Sequence, residues 1–358
     1  MSLFDADRSH EKIPVTVLTG FLGSGKTTLL NHLLRQPELA DTAVIINEFG
    51  AIGIDHLLVD SVQGEMQVLQ SGCICCSVRS DLETALRGLL AKRDAGELPP
   101  FRRVVIETTG LADPAPIMQM LIASPLVAHF CSLARVVTSV DALFGRQQLR
   151  ERWEARKQAA LADTLLITKR DLALDGTQAL AAALGALNAR AVVRYADHGR
   201  VDASAILPPR HASLARDVRE WLAHEVPGAH THTAAPHDHA AHAHGDVASI
   251  ALGADSPLDW LAVQDWLAEI RAEHGPMLLR VKGVLDLAGE EAPVVVQGVH
   301  HVFHPPVRLS AWPDADRRSR LVFITTGFDP KAIADSFDAR FNVPNRASSS
   351  DPTLRLGP

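Results

Sequence analysis

The run from Ile13 to Gln36, "IPVTVLTGFLGSGKTTLLNHLLRQ", decides the fold. Ile13 to Gly20 is apolar and β-branched, which reads as a buried strand. From Lys26 on the pattern is helical, with Leu29, Leu30, Leu33 and Leu34 on one face and Pro37 just beyond the end. Between them, Gly20 to Thr27 ("GFLGSGKT") fits the phosphate-loop pattern G-x-x-x-x-G-K-S/T. Gly20, Gly23 and Gly25 let the backbone wrap closely enough for its N–H groups to point at phosphate oxygens, and Ser24 and Thr28 belong to the same turn. Lys26 brings a positive charge to the β- and γ-phosphates, and the Thr27 hydroxyl can bind Mg²⁺. The helix N-terminus faces the same anion. A chance match in a glycine-rich turn would lack this strand-then-helix setting.

Further short apolar runs follow: "TAVIINE", "MQVLQ", "RRVVIET", "ARVVTSVD" and "DTLLITK". Helix-like segments lie between several of them, among them residues 79–94 and 145–161. This alternation predicts an α/β P-loop NTPase fold with a mainly parallel sheet and helices on both faces. The pattern fades after residue 224. Residues 225–246 read as a histidine-rich linker, 247–338 as a smaller C-terminal α+β domain, and 339–358 as a disordered tail. Residues 1–12, short and polar, read as a flexible lead into the first domain, 13–224. In the second domain "SPLDWLAVQDWLAEIRAEHGP" predicts a helix capped by Ser256, with Pro257 in its first turn and a buried stripe of Trp260, Val263, Leu267 and Ile270. "MLLRVKGVLDL", "PVVVQGVHHVFH" and "SRLVFITTG" then read as antiparallel strands.

At 358 residues, with 47% hydrophobic and 22% charged side chains, the chain is long enough for two domains with a sizeable core. The net charge of −7 argues against nucleic acid as a partner. The longest apolar runs fall short of the roughly 18 residues a membrane span needs. "MSLFDADRSHEKIP" lacks the apolar core of a signal peptide, so a cytoplasmic protein is expected. In that reducing compartment clustered cysteines point to metal or catalysis rather than to disulfides.

Two later segments complete a nucleotide site. "VVIETTGLADP" puts Glu107 at the end of an apolar strand, where a carboxylate can hold Mg²⁺ through water, and Gly110 supplies a pliable backbone near the γ-phosphate. "LLITKRD" ends another strand with Thr168, Lys169 and Asp171. GTPases carry N-K-x-D at this place. The Asp carboxylate accepts the paired N–H donors on the guanine edge, and the Lys stem packs on the ring. Adenine lacks that donor pair. Thr168 replaces the usual Asn and leaves the discriminating Asp171 intact.

"SGCICCS", Ser71 to Ser77, holds three of the four cysteines: Cys73, Cys75 and Cys76. Thiolates are soft ligands suited to Zn²⁺ and related metals. A structural zinc site takes four protein ligands, and nothing around the remaining Cys131 resembles a second half. The three thiols therefore describe an incomplete shell, whose fourth place is open to water, a carboxylate or another protein. Free cysteine also packs as a small core hydrophobe, but three in four residues beside Gly72 argue against that reading.

With these segments together, the chain resembles the CobW-type GTPases, the cobalamin-synthesis and metallochaperone family of the SIMIBI class of P-loop proteins. The segments that carry the resemblance are "VTVLTGFLGSGKTTLLNHLL", "INEFGAIGID", "SGCICCSVRSDL", "ETTGLADP" and "ITKRD", with "PMLLRVKGVL" and "VQGVHHVFH" in the second domain. The resemblance implies GTP hydrolysis coupled to binding and delivery of a transition metal, zinc first and Co²⁺ or Ni²⁺ as alternatives, to a metal-dependent client protein. Cys73, Cys75 and Cys76 match the family's C-x-C-C motif, and Glu48 in "NEFG" matches a switch-region acid near both metal and nucleotide. Lys26, Thr27 and Glu107 are then the catalytic set, and a homodimer is one candidate assembly.

His230, His232, His237, His239, His242 and His244 form a second, weaker candidate for Zn²⁺, Ni²⁺ or Co²⁺, or else a solvated linker. Two other functions fit parts of the pattern. One is a metal buffer or sensor with a vestigial nucleotide site, against which intact Lys26, Thr27 and Glu107 speak. The other is a P-loop kinase or ATPase with structural cysteines, against which Asp171 speaks.

Overall fold

The computed structural model describes residues 2–48, 67–70, 77–173, 177–208, 214–223 and 247–342. Cys73, Cys75, Cys76 and the six histidines of 230–244 lie outside the described residues, as does the side chain of Glu48.

The first domain is built on a sheet of seven parallel strands among the described residues, in the order β4-β3-β5-β2-β6-β7-β8. The strands are β2 (Ile13–Gly20), β3 (Thr42–Glu48), β4 (Gln67–Gln70), β5 (Arg103–Glu107), β6 (Cys131–Asp141), β7 (Thr164–Thr168) and β8 (Val192–Tyr195). A two-residue strand, β1 (Asp5–Ala6), precedes them. Every residue of β2 and β5 is buried, as central strands covered on both faces require. The helices between are α1 (Lys26–Leu33), α2 (Ser77–Asp94), α3 (Ala115–Ala123), α4 (Pro125–Phe130), α5 (Gly145–Glu151), α6 (Trp153–Leu161), α7 (Thr177–Leu187), α8 (Ala203–Ile206) and α9 (Leu214–Ala223). α1 buries Leu29, Leu30 and Leu33, and α2 buries Leu82, Leu86 and Leu89.

The segment 145–161, expected as one helix, is two. Arg152 is extended (φ −119°, ψ 115°), and the Arg156 Nη1 donates to the carbonyls of Leu149 at 3.3 Å and Arg150 at 2.9 Å. Those are carbonyls that the end of α5 leaves without helical partners, so one side chain makes the break tolerable.

The second domain contains β9 (Val247–Ala254), α10 (Trp260–His274), β10 (Leu278–Leu285), β11 (Val294–Val299), β12 (Val302–Phe303), β13 (Val307–Arg308), β14 (Ser319–Thr326) and α11 (Lys331–Phe341). Its sheet runs β1-β13-β11-β10-β14-β9, antiparallel except for the β1–β13 pair. One face carries Val281, Leu285, Leu321 and Phe323 against α10 and α11, with Trp266 at the centre, edge-on to Phe323 and Phe337. The other face carries Leu279, Val284, Val322 and Ile324 against Met118, Leu121, Leu161 and Trp221 of the first domain. Two-residue periodicity sends one set of side chains to each face, and the irregularity in β10 between Leu278 and Arg280 puts Leu279 on the same face as Val284.

Three expectations are corrected. Asp259, not Ser256, caps α10, its carboxylate accepting the Ala262 N–H at 2.9 Å, so the helix begins at Trp260. Trp266 joins the buried stripe, while Trp260 is half-buried against Phe4. Residues 2–12 are also placed: β1 extends the second sheet, Asp7 donates its N–H to the Arg308 carbonyl, and the Ser9 hydroxyl accepts from Leu214 N–H at 2.9 Å. Their polarity hid this, because the partners lie some 200–300 residues away.

The interface also holds charge. On β10, Arg280 and Lys282 share the face turned to the first domain, and both meet Asp163, which precedes β7. Arg280 donates to the Leu161 carbonyl at the end of α6, and Val136 N–H donates to Asp163 at 2.8 Å. Burial pushes the Asp163 carboxyl up, but Arg280, Lys282 and these hydrogen bonds outweigh it and hold it well below the usual carboxylate range.

Candidate nucleotide and metal site

All seven parallel strands end at one edge, the place where open α/β sheets bind ligands. β2 runs straight into the phosphate loop there. A Cβ on Gly20 (φ 144°) would lie 2.4 Å from the Ser139 carbonyl oxygen, so this position accepts only glycine. Gly25 (φ 87°) turns the chain into α1 from the left-handed region. Lys26 is 9% exposed, and its Nζ donates to the carbonyls of Gly20 at 2.8 Å and Phe21 at 3.3 Å, which folds the ammonium over the loop.

Glu107 ends β5 beside Leu18 of β2 and is 2% exposed. The Thr27 hydroxyl donates to Glu107 Oε1 at 3.0 Å. These two residues are 80 positions apart and present hard oxygens side by side, a donor set that fits Mg²⁺. Ser24 turns its side chain inward. Its side chain is buried, its hydroxyl lies 2.7 Å from that of Ser139, and its N–H closes a turn onto the Phe21 carbonyl. Thr28 is exposed and faces Gly199.

The loop after β5 packs directly on the phosphate loop. A Cβ on Gly110 would lie 2.8 Å from both the nitrogen and Cα of Leu22, so glycine is required for this approach. Gln158 of α6, 1% exposed, donates to the Gly110 carbonyl at 3.2 Å and the Ala112 carbonyl at 2.9 Å. Lys157 pairs with Asp113 at 2.7 Å. Two adjacent residues of one helix thus pin this loop from Gly110 to Asp113.

At the end of β7, Thr168 is buried and its hydroxyl donates to the Ser24 carbonyl at 2.7 Å. Lys169 adopts a left-handed conformation (φ 55°), and its ammonium meets Asp141 Oδ2 at 2.7 Å. Asp141 Oδ1 accepts the Leu143 N–H at 2.7 Å. Asp171 Oδ1 accepts the His198 main-chain N–H at 2.9 Å, and this bond holds the Asp171 carboxyl below its ordinary range. Sequence reasoning missed Asp141, Ser139, Gln158 and His198. Asp141 carried a readable signal, an acid closing an apolar strand as Glu107 does. The others are set by contacts between distant segments.

The strands and helix that flank the cysteine motif in sequence are among the described residues. Glu48 ends β3 and pairs in register with Gln70, the end of β4; Ile46, two residues earlier, pairs with Glu107. β4 thus delivers the chain to the nucleotide edge at Gln70, and α2 takes it away from Ser77. Among the described residues, no group of three or more His, Cys, Asp or Glu could hold a metal ion. Cys131 starts β6 opposite Ile13, at the other edge of the sheet. Burial pushes its thiol up to about 12, so it stays a neutral core group. No helix among the described residues is long and apolar enough to cross a membrane.

Comparison with known proteins bears on both domains. Residues 14–194 match the model of the CobW/HypB/UreG nucleotide-binding domain, and 247–340 match that of the cobalamin synthesis protein cobW C-terminal domain. The chain is 34% identical to the zinc chaperone YjiA of Escherichia coli, over 91% of this chain and 98% of that one. It is 30% identical to the zinc chaperone CobW of Pseudomonas aeruginosa, over 90% of each. The crystal structure of Zn(II)-bound YjiA GTPase from E. coli superimposes with a TM-score of 0.67 at 29% identity, covering 92% of this chain and 99% of that one. The same two domains in the same order, around a phosphate loop with its Thr27–Glu107 pair, make this chain a member of the CobW/HypB/UreG family.

Proposed function

We propose that this chain is a cytoplasmic GTP-hydrolysing metallochaperone. It binds zinc through Cys73, Cys75 and Cys76, delivers it to a metal-dependent client protein, and uses GTP hydrolysis to gate the transfer. The observation that carries the reading is the Thr27–Glu107 contact of 3.0 Å beneath the phosphate loop, at the sheet edge to which β4 also leads. The names of two relatives, both zinc chaperones, and the Zn(II)-bound neighbour support zinc as the cargo.

The geometry supports a division of labour. Main-chain N–H groups of the glycine-rich loop and the start of α1 bind the phosphates, with Lys26 adding its charge. Thr27 and Glu107 would hold Mg²⁺, which supplies charge neutralisation at the β- and γ-phosphates when bound. Gln158 fixes the carbonyls of Gly110 and Ala112, which sets the direction of the peptides between them and aims that loop at the γ-phosphate. Asp171 reads the guanine edge, and Lys169, pinned to Asp141, lays its stem along the base. Ordering of the Glu48 and cysteine segments by GTP, and their release on hydrolysis, would open and close the metal site.

The second-domain model carries the name of cobalamin synthesis, which favours Co²⁺ as the competing cargo. Replacing Cys75 by Ala tests the site: zinc affinity falls at least about tenfold, while GTP affinity changes less than about threefold. Zinc affinity equal to wild type would remove the three cysteines from the account, and a native preference for Co²⁺ would replace the metal.

A further inference from the structure

The guanine-reading carboxylate is already engaged by another part of the chain. His198 approaches it with two nitrogens at once, of which the ring Nδ1 is a donor in the form that carries its proton. Its main-chain N–H meets Asp171 Oδ1 at 2.9 Å, and its ring Nδ1 lies 3.0 Å from Oδ2. One residue therefore presents a fork to the two carboxylate oxygens. Guanine offers the same pattern, with the N1–H and a 2-amino N–H side by side.

The turn that carries this fork is built to hold it there. Asp197 and Arg200 exchange main-chain hydrogen bonds, Arg200 N–H to the Asp197 carbonyl at 2.8 Å and the reverse at 3.3 Å. The two residues between, His198 (φ 53°) and Gly199 (φ 72°), are both left-handed, the geometry of a tight primed turn. For a histidine this conformation is strained, and such strain gathers at functional sites. A Cβ on Gly199 would lie 2.9 Å from Thr28 Cγ2, so the turn sits against the first turn of α1. Arg170, between Lys169 and Asp171, grips the same turn through Asp197 at 2.8 and 2.5 Å and lies over the Tyr195 ring at 5.4 Å. The turn thus spans from the base-reading loop to the phosphate-binding helix. The His198 ring itself stays 73% exposed, so the turn holds it in place through Asp171 and not through packing.

We propose that His198 is an internal competitor for the guanine edge: its imidazole holds Asp171 Oδ2, and a guanine nucleotide binds by displacing it. Oδ1 has a second lone pair, so the main-chain N–H can stay and keep the carboxylate aimed while the ring leaves. The side chain then sets how tightly guanine nucleotides are held, as a positioning residue acting through Asp171. This inference rests on the reading of Asp171 as the guanine-recognising group.

The test is GDP binding to the full chain by calorimetry, with wild type, His198→Gly, His198→Ala, Asp171→Asn and the double variants. Glycine adopts the left-handed turn freely and alanine does not, so an effect shared by both belongs to the lost ring. Both single His198 variants are expected to bind GDP about three- to tenfold more tightly than wild type. The gain should vanish in the Asp171→Asn background, which a merely structural role of His198 would not produce. Unchanged or weaker GDP binding in both His198 variants overturns the proposal, and so does a gain that persists without Asp171. If Asp171→Asn binds GDP as wild type does, the reading of Asp171 falls and takes the proposal with it.

Discussion

The hydroxyl of Thr168 donates to the carbonyl oxygen of Ser24 at 2.7 Å, joining the end of β7 to the phosphate loop across 144 residues of sequence. The position where GTPases carry Asn is thus filled here by a residue that braces one half of the nucleotide site against the other. The same hydrogen is shared more weakly with the Val140 carbonyl at 3.3 Å.

Thr168→Ala should therefore weaken nucleotide binding without touching the base or the phosphates. The loss of a buried hydrogen bond costs about 1 kcal/mol, a few-fold in GDP affinity. Thr168→Ser retains the donor and should recover most of the loss. Titration of both variants with GDP checks this, and an alanine variant that binds like wild type would show that the brace is idle.

Glu107→Gln keeps the shape of the Thr27 contact but removes the charge. On the proposal that Glu107 shares in holding Mg²⁺, hydrolysis should fall about a hundredfold or more at saturating Mg²⁺. GDP binding measured without Mg²⁺ should change less than about threefold. A phosphate-release assay separates the two, and full turnover in the variant would take Glu107 out of the site.

Asp217 of α9 gives the fold a pH dependence. It lies 3.9 Å from Arg135, whose guanidinium Glu220 meets at 2.6 Å. Burial pushes the Asp217 carboxyl up to about 7, opposed in part by Arg135 and Lys282. The folded form thus keeps a proton that the unfolded chain releases at the ordinary carboxylate pKa of about 4. The stability from this group is complete below that value and is lost as pH rises through about 7. Asp217→Asn should be more stable than wild type by on the order of 1–2 kcal/mol at pH 8 and equal to it near pH 4. Urea unfolding at the two pH values checks the sign, and an equal difference at both would contradict it.

Deleting residues 230–244 should lower the zinc bound per chain and leave GTP turnover within about twofold of wild type, because several neutral imidazoles add weak metal sites and the nucleotide-site motifs lie elsewhere in the sequence. Metal analysis after gel filtration gives the first number. Loss of turnover would make this segment part of the catalytic fold.

What the sequence made legible follows from how local each signal is. Gly20, Lys26, Thr27 and Glu107 each stand at the end of an apolar strand or the start of a helix, so a short window contains both the residue and its setting. Thr168, Lys169 and Asp171 were legible for the same reason. Ser139, Gln158 and His198 were not, because their roles exist only through partners 27 to 120 residues away. The N-terminal strand shows the same limit: Asp5 and Ala6 look like a polar tail until Val307 and Arg308 are brought beside them. At α10 the competition was local but close. Ser256 suits a cap by sequence, but Leu258, paired to Leu287 by an isolated bridge, delays the helix until Asp259.

The central claim is that the nucleotide gates the metal at Cys73, Cys75 and Cys76. The most direct measurement is the zinc dissociation constant, by competition with a chelator, for the full chain saturated with Mg²⁺ and either GDP or a non-hydrolysable GTP analogue. The account predicts at least about a fivefold difference in zinc affinity between the two nucleotide states, abolished by Cys75→Ala. Equal zinc affinity in both states of the wild-type chain would contradict it.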